Sequence, residues 1–180
     1  MGNKNNKTIN NCYDFASILM TAILSVAIIF CLFFKISSVV GGSMKETLHS
    51  SDKVIITSLY TKPEYGDIVV ISQPNIFNEV IIKRVIATGG QTVIVDANKG
   101  TVTVDGKVLS EPYIIESYPR VQGNMEYPLT VPDGYVFVMG DNRNHSTDSR
   151  FSSIGLIDER YIMGKAFYRV GDKSLLSLEK

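Results

Sequence analysis

One serine, Ser43, has surroundings that would suit a nucleophile. It follows two glycines in the stretch GGSMKETL, residues 41–48, soon after a long apolar segment. A serine in a glycine-flanked turn is usually a turn residue, because its hydroxyl bonds the local backbone. To act as a nucleophile it would need a base that removes its proton. The chemistry of the stretch therefore depends on whether the chain supplies such a base.

Histidine is the usual base for a serine nucleophile, and the chain has two histidines. His49 lies six residues after Ser43, and His145 lies in a polar stretch. Neither has an obvious orienting partner in the sequence. We therefore interpret both as surface polar residues.

A lysine can take the place of histidine if its amine is uncharged, and Lys83 suits this role best. A free lysine has a pKa of about 10.4, so it must be removed from water to act as a base near pH 8. In VIIKRVIA, residues 80–87, a strand period places Ile81, Lys83 and Val85 on one face. Apolar neighbours on both sides would disfavour the ammonium form. The alternative is a lysine that extends from a half-buried strand to solvent.

A dense polar stretch, GDNRNHSTDSR at residues 140–150, is the third candidate. It contains two acids, two arginines and two serines directly after a predicted strand. Such a stretch is often only a solvated turn. It could instead support an active site through two ion pairs and a hydroxyl that orients a lysine: Asp148–Arg150, Asp141–Arg84 and Ser146.

The N-terminal part of the chain predicts a membrane anchor. Residues 15–34 are twenty residues without a charge, bracketed by Asp14 and Lys35. A helix of that length spans roughly 30 Å, the thickness of a bilayer core. A cleaved secretory signal is the alternative, but its apolar region runs only about 7–15 residues. The sequence therefore predicts a tail at residues 1–14 and a retained transmembrane helix at residues 15–34.

Charge favours one orientation of this anchor. The lysines before the helix and the amino terminus slightly outweigh the basic residues that follow it, which favours a cytoplasmic N-terminus. Residues 35–180 would then be extracytoplasmic. Both cysteines, Cys12 and Cys31, lie before or inside the anchor, so no disulfide is expected beyond it.

The residues after the anchor indicate β structure. Segments rich in Val, Ile and Thr alternate with turn signals such as KPEYGD, SQPN, TGGQ and ANKG. A tight hairpin is expected at Asp105-Gly106. The fold class is thus mainly β: a transmembrane helix followed by one antiparallel barrel-like or sandwich-like catalytic domain, with a possible small β insertion at about 89–125. The predicted strands lie at 53–60, 67–72, 79–87, 92–97, 101–106 and 134–141.

Charge balance and motif content argue against nucleic-acid binding and against a cofactor. The 18 basic and 18 acidic residues balance, so no electrostatic surface for nucleic acid is expected. The sequence contains no metal-ligand or nucleotide-binding motif, so no cofactor is expected.

Four stretches resemble, in order and approximate spacing, the boxes of bacterial type I signal peptidases: GSMKETL, YGDIVV, KRVIATGG and GDNRNHSTDSR. With the anchor before them, the chain is most similar to the short, single-anchor form of Gram-positive bacteria, over nearly its whole length. The resemblance implies a β-rich, membrane-bound serine endopeptidase with a Ser–Lys dyad. Its partners would be signal-peptide-bearing precursors and the lipid bilayer, and it would act at the outer face of the cytoplasmic membrane.

The same resemblance implies a role for each candidate residue. Ser43 would be the nucleophile and Lys83 the general base, and Ser146 would orient the lysine. The pairs Asp148–Arg150 and Asp141–Arg84 would support the site. A pocket for a small substrate side chain would be formed near three apolar residues: Met44, Leu48 and Ile82.

Two positions depart from the family pattern. Glu46 stands where the nucleophile box usually has a proline, and Gly41 stands where many relatives have a hydroxyl residue. Glu46 would loosen the turn, and its carboxylate would raise the pKa of Lys83 if it lay nearby. A restricted clientele, such as a surface or pilus precursor, is a hypothesis that follows. With Gly41, the oxyanion hole would depend on the Ser43 amide.

Two alternatives stay open at this stage. One is a non-enzymatic relative that keeps the fold and assists the assembly of surface polymers. The other is a soluble Ser–Lys autoprotease of the repressor kind, which would carry a DNA-binding helical domain in place of the apolar segment. Retention of both Ser43 and Lys83 argues against the first, and the apolar segment argues against the second.

Overall fold

The computed structural model describes residues 2–59, 62–74, 76–114, 120–170 and 174–175, with side chains from residue 11 to residue 170 of those ranges. The chain divides into two compact units, Met1–Lys35 and Ile36–Lys180.

The first unit consists of one long helix, α1, Gly2–Phe33, and of Phe34 and Lys35, which begin the first strand. Its stretch Asn11–Phe33 has a mean hydropathy of 2.6 and is long and apolar enough to cross a membrane. The hydroxyls of Ser17, Thr21 and Ser25 donate to backbone carbonyls about one turn back, so these polar groups are satisfied within the helix. The helix begins well before residue 15, so the predicted tail at 1–14 is largely helical: nothing in its sequence interrupts the helix.

The second unit is almost entirely β structure, which confirms the predicted fold class. It also contains two short 3-10 helices, Arg143–His145 and Glu159–Tyr161. The strands are β1 Phe34–Ser38, β2 Lys53–Thr57, β3 Ile68–Ile71, β4 Ile81–Thr88, β5 Thr92–Asp96, β6 Thr101–Val104, β7 Lys107–Val108, β8 Leu129–Thr130, β9 Tyr135–Met139, β10 Ile157–Asp158, β11 Ile162–Val170 and β12 Ser174–Leu175.

These strands form two sheets. The larger has the order β1-β2-β11-β3-β4-β9-β10, with β12 paired to β11, and curls around a core. The smaller has the order β7-β6-β5-β8 and corresponds to the predicted insertion, extended to Thr130. The hairpin expected at Asp105-Gly106 joins β6 to β7.

Three hydrophobic clusters make up the core. The first joins β4 and β9 of the large sheet to the small sheet, through residues such as Phe137 and Val95. The second includes Val69, Val85 and Val138 on the large sheet. The third includes Met44 and Leu48, next to Ile68 of β3. Strand β3 is buried at all four positions, because clusters cover both of its faces.

Candidate active site

Ser43 lies in a compact turn between β1 and β2. After it, the amides of Thr47 and Leu48 donate to the Met44 carbonyl at 3.1 and 2.8 Å, which makes a single helical turn. Met44 and Leu48 are buried in the third cluster. The turn is thus fixed on one side by apolar packing, and Ser43 is left partly accessible.

The amine of Lys83 contacts the Ser43 hydroxyl. Lys83 lies in β4, paired with Val69 of β3, and its Nζ is 2.8 Å from Ser43 Oγ. The same nitrogen donates to the Ile82 carbonyl at 3.1 Å. Forty residues apart in sequence, the two side chains are brought together by the pairing of the large sheet. The distance is that of a hydrogen bond, so proton transfer between the two groups is possible.

Lys83 lies where its charged form is disfavoured. The residue is only 4% exposed. On the same strand face, Val85 belongs to the second cluster and Ile81 packs against it. This burial lowers the pKa of Lys83 from 10.5 to about 8, while the nearby carboxylates of Asp148 and Asp141 act in the opposite direction. The amine can therefore become neutral at a mildly alkaline pH and accept a proton.

The backbone of the nucleophile turn is held by the loop after β9. The amide of Asn142 donates to the Ser43 carbonyl at 3.0 Å, and its side-chain Nδ2 donates to the Gly42 carbonyl at 3.0 Å. Gly140 lies so close that a Cβ there would be 2.5 Å from the Ser43 carbonyl oxygen and 2.3 Å from Ser146 Oγ. Only a glycine fits this approach.

A buried ion pair links this loop to β4. Arg84 donates to Asp141 through Nε at 2.8 Å and through a terminal nitrogen at 2.7 Å, and both side chains are almost fully buried. Asp141 also accepts a 2.5 Å hydrogen bond from the hydroxyl of Thr47 in the nucleophile turn. Asp141 thus joins Arg84, next to the base, to the turn that carries the nucleophile.

The second expected pair is also formed. Arg150 donates to both carboxylate oxygens of Asp148, at 2.8 and 2.9 Å, and both side chains are buried. Asp148 in turn accepts from the amide of Gly140 at 2.9 Å. This pair therefore fixes the start of the loop that contacts Ser43. The catalytic importance of both pairs stays a prediction.

Ser146 lies in the same loop but does not orient the lysine directly. It is buried, and its hydroxyl has no hydrogen-bond partner among the described residues. The Lys83 amine instead bonds Ser43 and the Ile82 carbonyl. The role of Ser146 as an orienting hydroxyl stays a prediction, and a buried hydroxyl without a partner is available for such a bond.

A groove of about 540 Å³ opens beside the serine and the lysine. Met44 and Ile82 line it, as expected, whereas Leu48 is fully buried in the third cluster and is not among the lining residues. His145 also lines the groove, and its side chain is exposed. His49 is exposed and lies 4.0 Å from Asp52. It is Lys83 that contacts the nucleophile.

Two further features bear on the turn. No hydrogen bond occupies the Ser43 amide within the described part of the chain, so it is available to an oxyanion. Glu46 is exposed, and its φ of +80° lies in the left-handed region. The charges that act on Lys83 are Asp148, Asp141 and Arg150, so the expected effect of Glu46 on its pKa is not found.

Comparison with known proteins identifies the family. The model of the family described as "Signal peptidase, peptidase S26" matches residues 12–170. The chain belongs to this signal peptidase family. It is 39% identical to the probable signal peptidase I-1 of Synechocystis sp. over 139 residues, covering 72% of this chain and 67% of that protein. It is 32% identical to signal peptidase I of Bacillus licheniformis over 168 residues, covering 86% of each.

A plant relative extends the comparison. The probable thylakoidal processing peptidase 2 of Arabidopsis thaliana is 33% identical over 96% of this chain, but the chain spans only 47% of the length of that protein. These matches confirm the resemblance drawn from the four boxes. As a member of the signal peptidase family, the chain is a serine peptidase.

Several contacts of the signal peptidase site could not be found from its boxes. The sequence places Asn142 and Thr47 within them, but only the fold shows that one holds the Ser43 carbonyl and the other bonds Asp141. Glu111 and Tyr113 lie outside all four boxes and contact the site from a distant segment. Their one signal in sequence is their position beside the predicted hairpin.

Proposed function

We propose that the chain removes signal peptides from secretory precursors, with Ser43 as nucleophile and neutral Lys83 as general base. The observation that carries the proposal is the 2.8 Å contact between Ser43 Oγ and a buried lysine whose pKa is lowered to about 8. A non-enzymatic relative would have no reason to keep a buried lysine against a serine, because burying an amine is costly.

The reaction follows from this contact. Lys83 Nζ takes the proton of Ser43 as Oγ attacks the carbonyl carbon of the scissile bond, and the lysine then gives that proton to the leaving nitrogen as the C–N bond breaks. Water attacks the resulting ester while Lys83 accepts its proton. The ester C–O bond breaks, and the proton returns to Ser43 Oγ. Lys83 Nζ carries one proton at a time in each step, and the transfers to and from Ser43 Oγ cross the 2.8 Å contact.

The free amide of Ser43 would stabilise the negative charge on the carbonyl oxygen during both steps. One such donor contributes about 3 kcal/mol to the stability of the transition state. Asn142 orients this amide, because its Nδ2 donates at 3.0 Å to the Gly42 carbonyl, which lies in the same peptide plane as the Ser43 N–H. The groove lined by Met44 and Ile82 would hold a small substrate side chain.

The apolar helix supports a membrane location. Its stretch Asn11–Phe33 is consistent with a membrane anchor. The basic residues before it favour a cytoplasmic N-terminus, which would leave residues 35–180 at the outer face. Precursors whose own apolar segment is still in the bilayer would present their cleavage sites to such an enzyme.

The test is cleavage by the detergent-solubilised full chain. We expect the wild type to cut a panel of precursors after a small residue, with sites mapped by mass spectrometry, and Ser43→Ala and Lys83→Ala to abolish cutting. The double variant should be no slower than either single variant, because the two residues act as one unit. Activity that survives Lys83→Ala and is lost in His145→Ala would refute the assignment.

A further inference from the structure

The segment that leaves the small sheet contacts the loop after β9 directly. Glu111 lies three residues beyond β7, and its carboxylate forms an ion pair with Arg143 through two hydrogen bonds, one of them 3.0 Å long. The exposed fractions of these side chains are 4% for Glu111 and 1% for Arg143. Arg143 in turn donates through Nε to the Gly140 carbonyl at 3.1 Å. One buried arginine therefore joins Glu111 to Gly140, where a Cβ would overlap the Ser43 carbonyl.

Tyr113, two residues further on, reaches the other end of the site. Its ring lies under the guanidinium of Arg84, 3.9 Å from Cζ to the ring centroid, which is a close cation–π contact. Its hydroxyl donates to Glu111 at 3.1 Å. Arg84 holds Asp141, as described above. Tyr113 thus connects two ion pairs. It contacts Arg84, the partner of Asp141, and it bonds Glu111, the partner of Arg143.

Burial makes Arg143 dependent on Glu111. Glu111 raises the pKa of Arg143 against the opposing effect of burial, so the arginine stays charged. A charged arginine with 1% exposure depends on its carboxylate partner, since an unpaired buried charge is strongly destabilising. If Glu111 lost its charge, the Arg143 side chain would have to move toward water, and Gly140 would lose the bond that fixes its carbonyl.

Residues 121–125, which lead back to the small sheet, also form hydrogen bonds with the loop. The Val121 carbonyl accepts from Arg150 at 2.8 Å, and the Val121 amide donates to Asn144 at 3.0 Å. The amides of Asn124 and Met125 both donate to the Arg150 carbonyl. Both connections of the small sheet are therefore bonded to residues 140–150, and this sheet frames the loop from two sides.

We infer that Glu111 and Tyr113 are positioning residues for cleavage, acting through Arg143 and Arg84 to hold Gly140–Asn142 against the backbone of Ser43. The inference rests on the proposed function and adds a role for the small sheet. A displacement of about 1 Å at a reacting centre can reduce the rate about 100-fold. Gly140–Asn142 contact the backbone of Ser43 and are not among the described residues that line the groove, so their movement would misplace the nucleophile more than it would change substrate binding.

The test compares Glu111→Gln with Asp158→Asn in the full chain. Asp158 is the control, because its carboxylate is also largely shielded and pairs with an arginine, whereas Arg160 is 84% exposed and the hydrogen bonds described for this carboxylate do not involve the loop. We expect Glu111→Gln to lower kcat by about 10- to 100-fold while KM changes less than about twofold. Asp158→Asn should leave both constants unchanged. Unchanged kcat in Glu111→Gln, or a change in KM alone, would overturn the inference.

Three more variants separate positioning from loss of folding. Glu111→Asp restores the charge and should recover part of kcat, whereas Tyr113→Phe keeps the ring over Arg84 and should reduce kcat less than Glu111→Gln does. In an Arg143→Gln background, Glu111→Gln should lower kcat no further, because its effect passes through that arginine. An effect of full size in that background would contradict the inference. If Glu111→Gln does not fold, the Glu111→Asp and Tyr113→Phe variants decide, and wild-type kcat in both would refute it.

Failure of this inference is distinguishable from failure of the proposed function. A wild-type chain that cuts no precursor, or that still cuts after Ser43→Ala, refutes the function. A chain that cuts normally and is indifferent to Glu111→Gln refutes only the role of Glu111.

Discussion

Replacing Lys83 by methionine should abolish cleavage and also stabilise the folded protein at neutral pH. Methionine is unbranched and of similar length, so it can fill the same space without a charge. The wild-type amine lies in an environment that disfavours its protonated form. A residue selected for chemistry rather than stability should be replaceable with a gain in stability.

The magnitude follows from the pKa. One pKa unit corresponds to about 1.4 kcal/mol, so lowering the pKa of Lys83 from 10.5 to about 8 destabilises the folded state by about 3 kcal/mol. The variant also loses the hydrogen bonds to Ser43 and to the Ile82 carbonyl, each worth about 1 kcal/mol. The net gain at pH 7 is about 1 kcal/mol. At about 2–4 °C per kcal/mol, this raises Tm by about 2–4 °C.

The gain should vanish at high pH. Below about pH 8 the folded and unfolded states both bind the proton, and the full cost is present. Between pH 8 and 10.5 the unfolded chain binds more protons than the folded chain, so the stability of the wild type rises with pH. Above 10.5 the amine is neutral in both states, and the wild type should equal or exceed the variant.

Thermal denaturation of the detergent-solubilised full chain at pH 7 and pH 10.5 measures both quantities. Lys107→Met is the control, since Lys107 is exposed and the substitution should give no pH-dependent difference. A stability difference between Lys83→Met and the wild type that is the same at both pH values would refute the reasoning, as would a variant less stable at pH 7.

Three further predictions concern the same site. The cleavage rate should rise with an apparent pKa of about 8, because Lys83 must be neutral, and be about tenfold lower at pH 7 than on the plateau. A flat profile from pH 6 to 10 would exclude the lysine as base. Gly140→Ala should lose activity and about 1–3 kcal/mol of stability measured by urea denaturation, since its Cβ would overlap Ser43 and Ser146. Glu46→Pro should reduce cleavage and Glu46→Gly should not, because φ at Glu46 is +80°. Wild-type activity in Gly140→Ala would contradict the close approach of the loop to Ser43, and wild-type activity in Glu46→Pro would contradict the need for a left-handed residue in the turn.

The strands that could be predicted from sequence are those with a strong local pattern. Runs of Val, Ile and Thr bounded by turn residues locate β2 to β6 and β9 to within a few residues. Strand β11 was missed, although it is the longest and lies between β2 and β3 at the middle of the large sheet. Its sequence IMGKAFYRV has a glycine and no clear alternation. It is a strand because β2, β3 and β12 pair with it, and pairing is not visible in a local window.

In the site, too, residues with a local sequence pattern could be predicted, and contacts made only through the fold could not. The boxes located Ser43, Lys83 and the two ion pairs, because each box carries its residue types at fixed spacing. The contacts of Glu111 could not be found in this way, since Glu111 lies 32 residues before Arg143 and joins it only through the fold. Desolvation of Lys83 was predictable from its apolar neighbours. That the Ser146 hydroxyl makes no hydrogen bond to the lysine was not, because it depends on side-chain placement within the loop.

Glu46 shows how a local reading of the turn can fail. The missing proline suggested a looser turn, with a carboxylate that acts on the base. In the structure, Glu46 points its charge to solvent and its backbone is left-handed, a conformation that proline cannot adopt. The turn is held instead at the next residue: Thr47 Oγ1 donates to Asp141 at 2.5 Å, and the Thr47 carbonyl accepts from Arg169 at 3.0 Å. Long-range bonds thus supply the restraint that proline would give locally, and the structural reason for a restricted clientele disappears.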